Sequence, residues 1–328
     1  MEKPRLIKFL RSTVLLTLAL SGPALAQLTP AQQSARDKGI ALYQQSDWYD
    51  SQPLLQTAAE AGDAQAQYYL GEALRLSNRY STPQARKWYE AAARQGHLYA
   101  MLRLGNADDF CQYLGDCDGE NDVQWRKVAT EQAYARAQQG DTEAMTVLFI
   151  TRHDLGWLQM AAEAGDSRAQ EWLAGIYKDG GGWYVIPALG EMAARKWYKA
   201  SAEGGNPKGM FLYASLLYDN NGDTREIGHW LEQAAEGGHI DSVATYASEL
   251  SEQPNRFGHP HDLVKAYGLT YLVAHLEGGG NSPREAKLTL EEIAAKMTPA
   301  QIEQGLVFAK GWEQTHPPLS YYNPIYGY

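Results

Sequence analysis

The stretch Ala85-Arg86-Lys87-Trp88-Tyr89-Glu90-Ala91-Ala92-Ala93-Arg94-Gln95-Gly96 decides how this chain folds, because its pattern is written more than once. Ala85, Trp88, Tyr89 and Ala92 stand at i, i+3, i+4 and i+7, a spacing that gathers side chains on one face of an α-helix. Thr82 is a good N-cap, Pro83 suits the first helical position, and Gly96 suits the left-handed position that ends a helix. The pattern returns as Ala194-Arg195-Lys196-Trp197-Tyr198-Lys199-Ala200 before Gly205. It returns again as Trp230-Leu231-Glu232-Gln233-Ala234-Ala235 before Gly238, and as Trp157-Leu158 with Ala161-Ala162 before Gly165.

A second pattern starts at each glycine. Gly62 leads to Ala66 and Leu70, Gly96 to Ala100 and Leu104, Gly140 to Ala144 and Leu148, and Gly165 to Ala169 and Leu173. Gly205 leads to Gly209 and Tyr213, and Gly238 to Ser242 and Tyr246. A small residue four positions on and a large apolar one eight positions on share a helix face. The residue after the glycine is an N-cap candidate at Asp63, Asp141, Asp166 and Asn206. His97 and His239 predict weaker caps. Each unit is therefore a helix–turn–helix that cannot bury its apolar face alone, so units must stack into an all-α solenoid. The glycines at 62, 96, 140, 165, 205 and 238 are spaced 34, 44, 25, 40 and 33 residues apart. The longest spacing holds an insertion around the two cysteines. The 40-residue one holds the segment Asp179 to Pro187, and the shortest predicts shortened helices.

The run Ala-x-x-Trp-Tyr-x-x-Ala-Ala-x-x-Gly followed by a small-and-leucine helix resembles the Sel1-like repeat, a relative of the tetratricopeptide repeat. The resemblance implies a right-handed α-solenoid over residues 54–280. The third unit departs most: Gln132 to Gly140 keeps the alanines and the glycine but lacks the Trp-Tyr pair. Residues 27–53 read as an N-terminal capping helix, with the helical pattern from Ala31 to Gln45. Residues 281–315 read as C-terminal capping helices, with a capping box at Ser282-Pro283 and Glu285 and another start at Thr298-Pro299 and Gln301. Residues 316–328, with three prolines and four tyrosines, read as an extended tail that either docks on the last helices or meets a partner.

Residues 1–26 have the build of a cleaved signal peptide. Lys3, Arg5, Lys8 and Arg11 precede an apolar run from Val14 to Leu20, and Ala24-Leu25-Ala26 has the small-x-small form of a cleavage site. The run is too short to span a bilayer, and no cysteine follows it to take a lipid. The expected compartment is the periplasm, with no membrane insertion. This leader carries four of the 29 basic residues and one of the 39 acidic ones, so its loss moves the formal net charge from -10 to -13. That acidity argues against a nucleic-acid partner, since nothing would offset repulsion from phosphates.

The sequence carries no nucleophile elbow, no phosphate loop and no His-Glu-x-x-His helix. Gly180-Gly181-Gly182 lacks the Lys-Ser/Thr of a phosphate loop and reads as a turn. His259, His261 and Asp262 offer metal-ligand types but sit in what reads as a polar loop between repeats. No catalytic residue, metal site or cofactor is expected. Cys111 and Cys117 are expected to pair in an oxidising compartment. Around them stand Asp108, Asp109, Asp116, Asp118, Glu120 and Asp122. Three readings of this segment stand open: a solvated loop, a calcium loop, or an acidic knob facing a basic partner. Against calcium, Gly119 comes two positions early and Lys127 stands where a bidentate Glu belongs. Trp183 and Tyr184 join these acidic residues as partner-binding candidates.

Helical solenoids present an extended concave surface and usually bind protein. The resemblance to Sel1-like proteins implies adaptors and scaffolds, and among secreted ones immunity proteins against type VI secretion lipase or phospholipase effectors. A periplasmic scaffold for envelope assembly or signalling is the alternative. Cysteine-rich relatives associated with penicillin binding carry a cysteine pair per repeat, whereas this chain has one pair.

Overall fold

A computed structural model describes residues 28–106, 119–182, 187–278 and 280–326, without the side chains of 119–123 and 187. The acidic segment's Asp108, Asp109, Asp116 and Asp118, both cysteines, and Trp183 and Tyr184 fall outside the described residues. So do the side chains of Glu120 and Asp122.

Among the described residues, sixteen helices follow one another. They are α1 (Pro30–Gln44), α2 (Trp48–Glu60), α3 (Ala64–Asn78), α4 (Pro83–Arg94), α5 (Leu98–Leu104), α6 (Gly119–Ala137), α7 (Thr142–Arg152) and α8 (Leu155–Glu163). Then come α9 (Ser167–Lys178), α10 (Pro187–Glu203), α11 (Pro207–Asp219), α12 (Thr224–Glu236), α13 (Ile240–Ser251), α14 (Leu263–Ala274), α15 (Ser282–Ala294) and α16 (Pro299–Thr315). Most helices pack mainly on their neighbours in sequence, but α16 packs on α14; α5 also meets α7 and α9 meets α11. The result is an α-solenoid of stacked helix–turn–helix units. The 25-residue spacing gives the short helices α7 and α8, of 11 and 9 residues. No described helix is long and apolar enough to cross a membrane.

The junctions work as their residues dictate. Gly62, Gly96, Gly140, Gly165, Gly205 and Gly238 all have positive φ, between 81° and 94°. L side chains rarely adopt this conformation, and glycine adopts it without strain. Asp63, Asp141 and Asp166 then accept from the backbone N–H three residues on, and Asn206 from that of Lys208. His97 and His239 cap as well: their Nδ1 atoms accept from Ala100 N and Ser242 N, both at 3.3 Å. An imidazole accepts there only when neutral. Burial provides for that, pushing both rings down from 6.5 to about 4, with Arg136 adding to the drop at His97 and Lys208 at His239.

The core forms where the repeated patterns point. Ala66, Ala85, Ala92, Ala100, Ala144, Ala161 and Ala234 are fully buried, which lets helix backbones approach closely, and Tyr89 and Leu148 fill the space between layers. Trp88 and Trp197 are buried beside them. In the third unit Ala129 and Ala133 take over the packing, while Tyr134 in the unit lacking Trp-Tyr is exposed.

Two end features differ from expectation. The first repeat helix begins at Trp48, capped by Asp47, ahead of the pattern at residue 54. Ser282 does not cap α15; the N-cap is Asn281, without a side-chain bond, and the Ser282 Oγ instead accepts from Tyr321 Oη at 2.8 Å. At the other start the capping box does form: Thr298 N donates to Gln301 Oε1 at 2.9 Å.

The array curves until its ends meet. A Cβ on Gly278 would stand 2.6 Å from the Gln45 carbonyl oxygen and 2.7 Å from Asp47, so the turn after α14 lies directly against the turn after α1.

Candidate functional site

The odd-numbered helices from α3 to α13 begin after the repeat glycines, and α5, α7, α9 and α11 line the inside of this curve. Their inward positions fall three and six residues after the glycine: Tyr99, Glu143, Thr146, Arg168, Glu171 and Lys208. These, with Trp172 and the tail residues Tyr322 to Tyr326, bound a cavity of about 330 Å³. None of these residues stood out in the sequence as a site. The signal was present nonetheless, because the third residue after each glycine is polar or aromatic: Gln65, Tyr99, Glu143, Arg168, Lys208 and Asp241.

The walls are charged. Lys208 Nζ lies 3.3 Å from the Glu171 carboxylate, and Arg136 Nη2 lies 3.3 Å from that of Glu143. Burial raises both carboxyls, partly opposed by Lys208 at Glu171 and by Arg136 at Glu143. Thr142 Oγ1 donates to Asp166 Oδ2 at 2.7 Å, tying two adjacent units at the cavity edge. Arg168 is exposed at the cavity and forms no ion pair among the described residues.

Below the tail lies a buried charged node. Arg103 donates through Nε and Nη2 to the two Glu72 carboxylate oxygens at 2.7 and 2.8 Å. Arg75 Nη2 donates to the same carboxylate at 3.1 Å, and Tyr89 Oη at 2.6 Å. The Glu72 side chain is 1% exposed and that of Arg103 4%. Burial pulls the Glu72 carboxyl upward, but the charges and hydrogen bonds of Arg103 and Arg75 prevail and hold it below the ordinary value.

The tail docks, and it reaches well beyond the last helices. Ser320 N donates to Gly238 O at 2.9 Å, and Ile240 N donates to Ser320 O at 3.1 Å. Gln45 Nε2 donates to Leu319 O at 2.9 Å, and Tyr322 Oη donates to Gly237 O. Gln44 holds the main chain of Asn323 from both sides: its Oε1 accepts from Asn323 N at 2.8 Å and its Nε2 donates to Asn323 O at 3.4 Å. Tyr68 Oη donates to Ile325 O at 2.5 Å. Tyr326 stacks on Tyr99 at 6.2 Å, with the Arg103 guanidinium 4.3 Å over its ring. The tail thus crosses the groove from α13 to α5 and bridges both ends of the solenoid.

The metal-ligand types at 259–262 serve other ends. Asp262 caps α14, accepting from Lys265 N at 2.9 Å, His259 packs edge-on against Tyr246 at 4.8 Å, and His261 is exposed. The carboxylates of Asp47, Asp50 and Glu277 come within 4.8 Å of one another where the ends meet, a cluster that sequence reasoning did not anticipate.

No family model matches the sequence, and no curated protein matches it. Solved structures similar to it include the c5321 protective antigen of uropathogenic Escherichia coli, which displays an SLR fold. That match has 19% identity and a TM-score of 0.47, over 88% of this chain and 62% of that one. This chain therefore spans less than two thirds of the antigen. A Sel1 repeat protein from Oxalobacter formigenes matches at 21% identity and TM-score 0.44, over 86% of each chain. The immunity protein PA5088 from Pseudomonas aeruginosa matches at 16% identity and TM-score 0.40, over 82% of this chain and 84% of that one.

Proposed function

We propose that this chain is a non-enzymatic, periplasmic protein-binding solenoid, and that it is an immunity protein that binds and inhibits a secreted antibacterial lipase or phospholipase. The observation that carries the binding reading is the inner groove. It is long, charged, and already holds a polypeptide segment through main-chain hydrogen bonds. The signal-like leader supports the compartment. The net charge of -10 supports the class of target, since a phospholipase D-type site binds phosphate with His and Lys side chains. An acidic surface complements such a site and speeds encounter. The acidic segment from Asp108 to Asp122 opposes the basic site of the toxin, and the groove takes up a segment of it.

The test is a titration of the mature chain into a phospholipase D-type toxin secreted by the same cells, following phospholipid hydrolysis. The expected result is inactivation at one-to-one stoichiometry, weakened when Asp116, Asp118 and Glu120 are all changed to Lys. Undiminished hydrolysis under saturating chain refutes the inhibitor reading.

A further inference from the structure

We infer that the inner groove is a binding site for an extended polypeptide segment bearing an aromatic side chain, which residues 317–326 now occupy as a self-ligand that a partner's segment displaces. The identity of the partner rests on the protein-binding reading above; the existence of the site does not.

Four observations carry this. First, the groove reads the tail mostly by its main chain. Gln44 brackets Asn323, Gly238 and Ile240 bracket Ser320, and Tyr68 takes the carbonyl of Ile325. Such bonds accept any extended segment, whatever its side chains. Second, specificity comes from the tyrosines: Tyr321 and Tyr322 donate their hydroxyls to Ser282 Oγ and Gly237 O, and Tyr326 is held by its ring. The Tyr326 ring lies against Tyr99 and under the Arg103 guanidinium, an arrangement that selects an aromatic residue. Arg103 is itself fixed by two bonds to Glu72, so this part of the site is preorganised. Third, the tail underfills the groove, leaving about 330 Å³ beside Tyr322 to Tyr326. Fourth, residues 317–326 carry no charge, while Arg168 faces the same cavity without an ion pair among the described residues. A segment that also carries an acidic residue near its aromatic one would satisfy Arg168, which the tail leaves unused, and so compete.

A self-ligand lowers the apparent affinity for anything else in proportion to the time it is bound. The test uses the full chain and a fluorescein-labelled peptide of residues 317–326, followed by polarisation. Tyr326→Ala weakens the chain's own tail and leaves the groove intact. It should therefore bind the peptide about tenfold more tightly than the unaltered chain. Adding Gln44→Ala should remove most of that gain. Equal peptide affinity in Tyr326→Ala and unaltered chain overturns the inference, as does a gain that Gln44→Ala leaves in place. Hydrogen exchange on the unaltered chain decides the matter independently of any variant. The Ser320 and Asn323 amides should exchange at least a hundredfold faster than the α3 amides around Leu70, because tail release needs only local opening. Exchange at the α3 rate would make the tail a permanent strap. Neither experiment involves a toxin, so this site and the immunity reading can fail separately.

Discussion

Replacing Glu72 by Gln tests the link between the repeat core and the groove. The carboxylate is buried and takes bonds from Arg103 at 2.7 and 2.8 Å, from Arg75 at 3.1 Å and from Tyr89 at 2.6 Å. Gln keeps the shape, loses the charge and can accept through only one oxygen. Arg75, at 11% side-chain exposure, can turn toward water, whereas Arg103 at 4% cannot. The cost is therefore that of leaving one buried guanidinium without its counter-charge, about 3–5 kcal/mol. A stacked repeat array unfolds in stages, so a global midpoint is a poor gauge. Hydrogen exchange at the amides of α3 and α5 reads the local loss directly, and it should quicken by about two to four orders of magnitude. Glu72→Leu combined with Arg103→Met removes both charges and leaves mainly the Tyr89 hydroxyl without its acceptor, at about 1–3 kcal/mol. The double variant should thus be more stable than Glu72→Gln alone. A single-variant loss below about 1 kcal/mol, or a double variant that costs the sum of its two single changes, would refute the reasoning.

Other outcomes follow from the same geometry. Gly165→Ala meets no atom within 4 Å and suffers only from its φ of +94°, for a loss of about 1 kcal/mol in thermal unfolding. Gly238→Ala adds a clash, since the new Cβ would stand 3.1 Å from Pro318 O, so it should cost more and also speed exchange of the Ser320 amide. Asp166→Ala removes the acceptor of the Ala169 N–H and of the Thr142 hydroxyl, and should lower stability by about 1–2 kcal/mol in the same assay. His97 and His239 titrate near 4 when folded and near 6.5 when unfolded, so between those values the unfolded chain binds more protons. Stability is complete above pH 6.5 and declines as pH falls toward 4, by about 3 kcal/mol for each ring. The double variant His97→Asn, His239→Asn keeps an N-cap acceptor and should flatten that stretch of the stability profile.

The fold was legible because each repeat states its own boundaries. Glycine at 62, 96, 140, 165, 205 and 238 meets a backbone demand that few other residues satisfy, and the alanines mark where helices touch. The histidine caps were less legible, because ring Nδ1 serves as a cap only where burial keeps it neutral, and burial is a property of the stack. Ser282 shows the reverse. Its sequence suits a cap, yet Tyr321 from the tail takes its hydroxyl. The groove residues were not legible as a site because the repeated small and large apolar residues mark the core face, and Tyr99, Glu143, Arg168 and Lys208 lie one position before it on each helix. The path of the tail was beyond sequence reasoning. Gln44 and Asn323 are 279 residues apart, and only the summed curvature of all the units brings them together.

The central claim, a solenoid that binds a secreted toxin through its inner groove, is tested most directly by affinity capture from a periplasmic extract. The bait is the mature chain, compared with a variant carrying Arg168→Glu and Lys208→Glu, and both captures are read by mass spectrometry. The account predicts a secreted lipase or phospholipase bound one-to-one and inactive, recovered with the unaltered chain and lost with the groove variant. Envelope-assembly or signalling components in its place, or identical recovery with both baits, would contradict it.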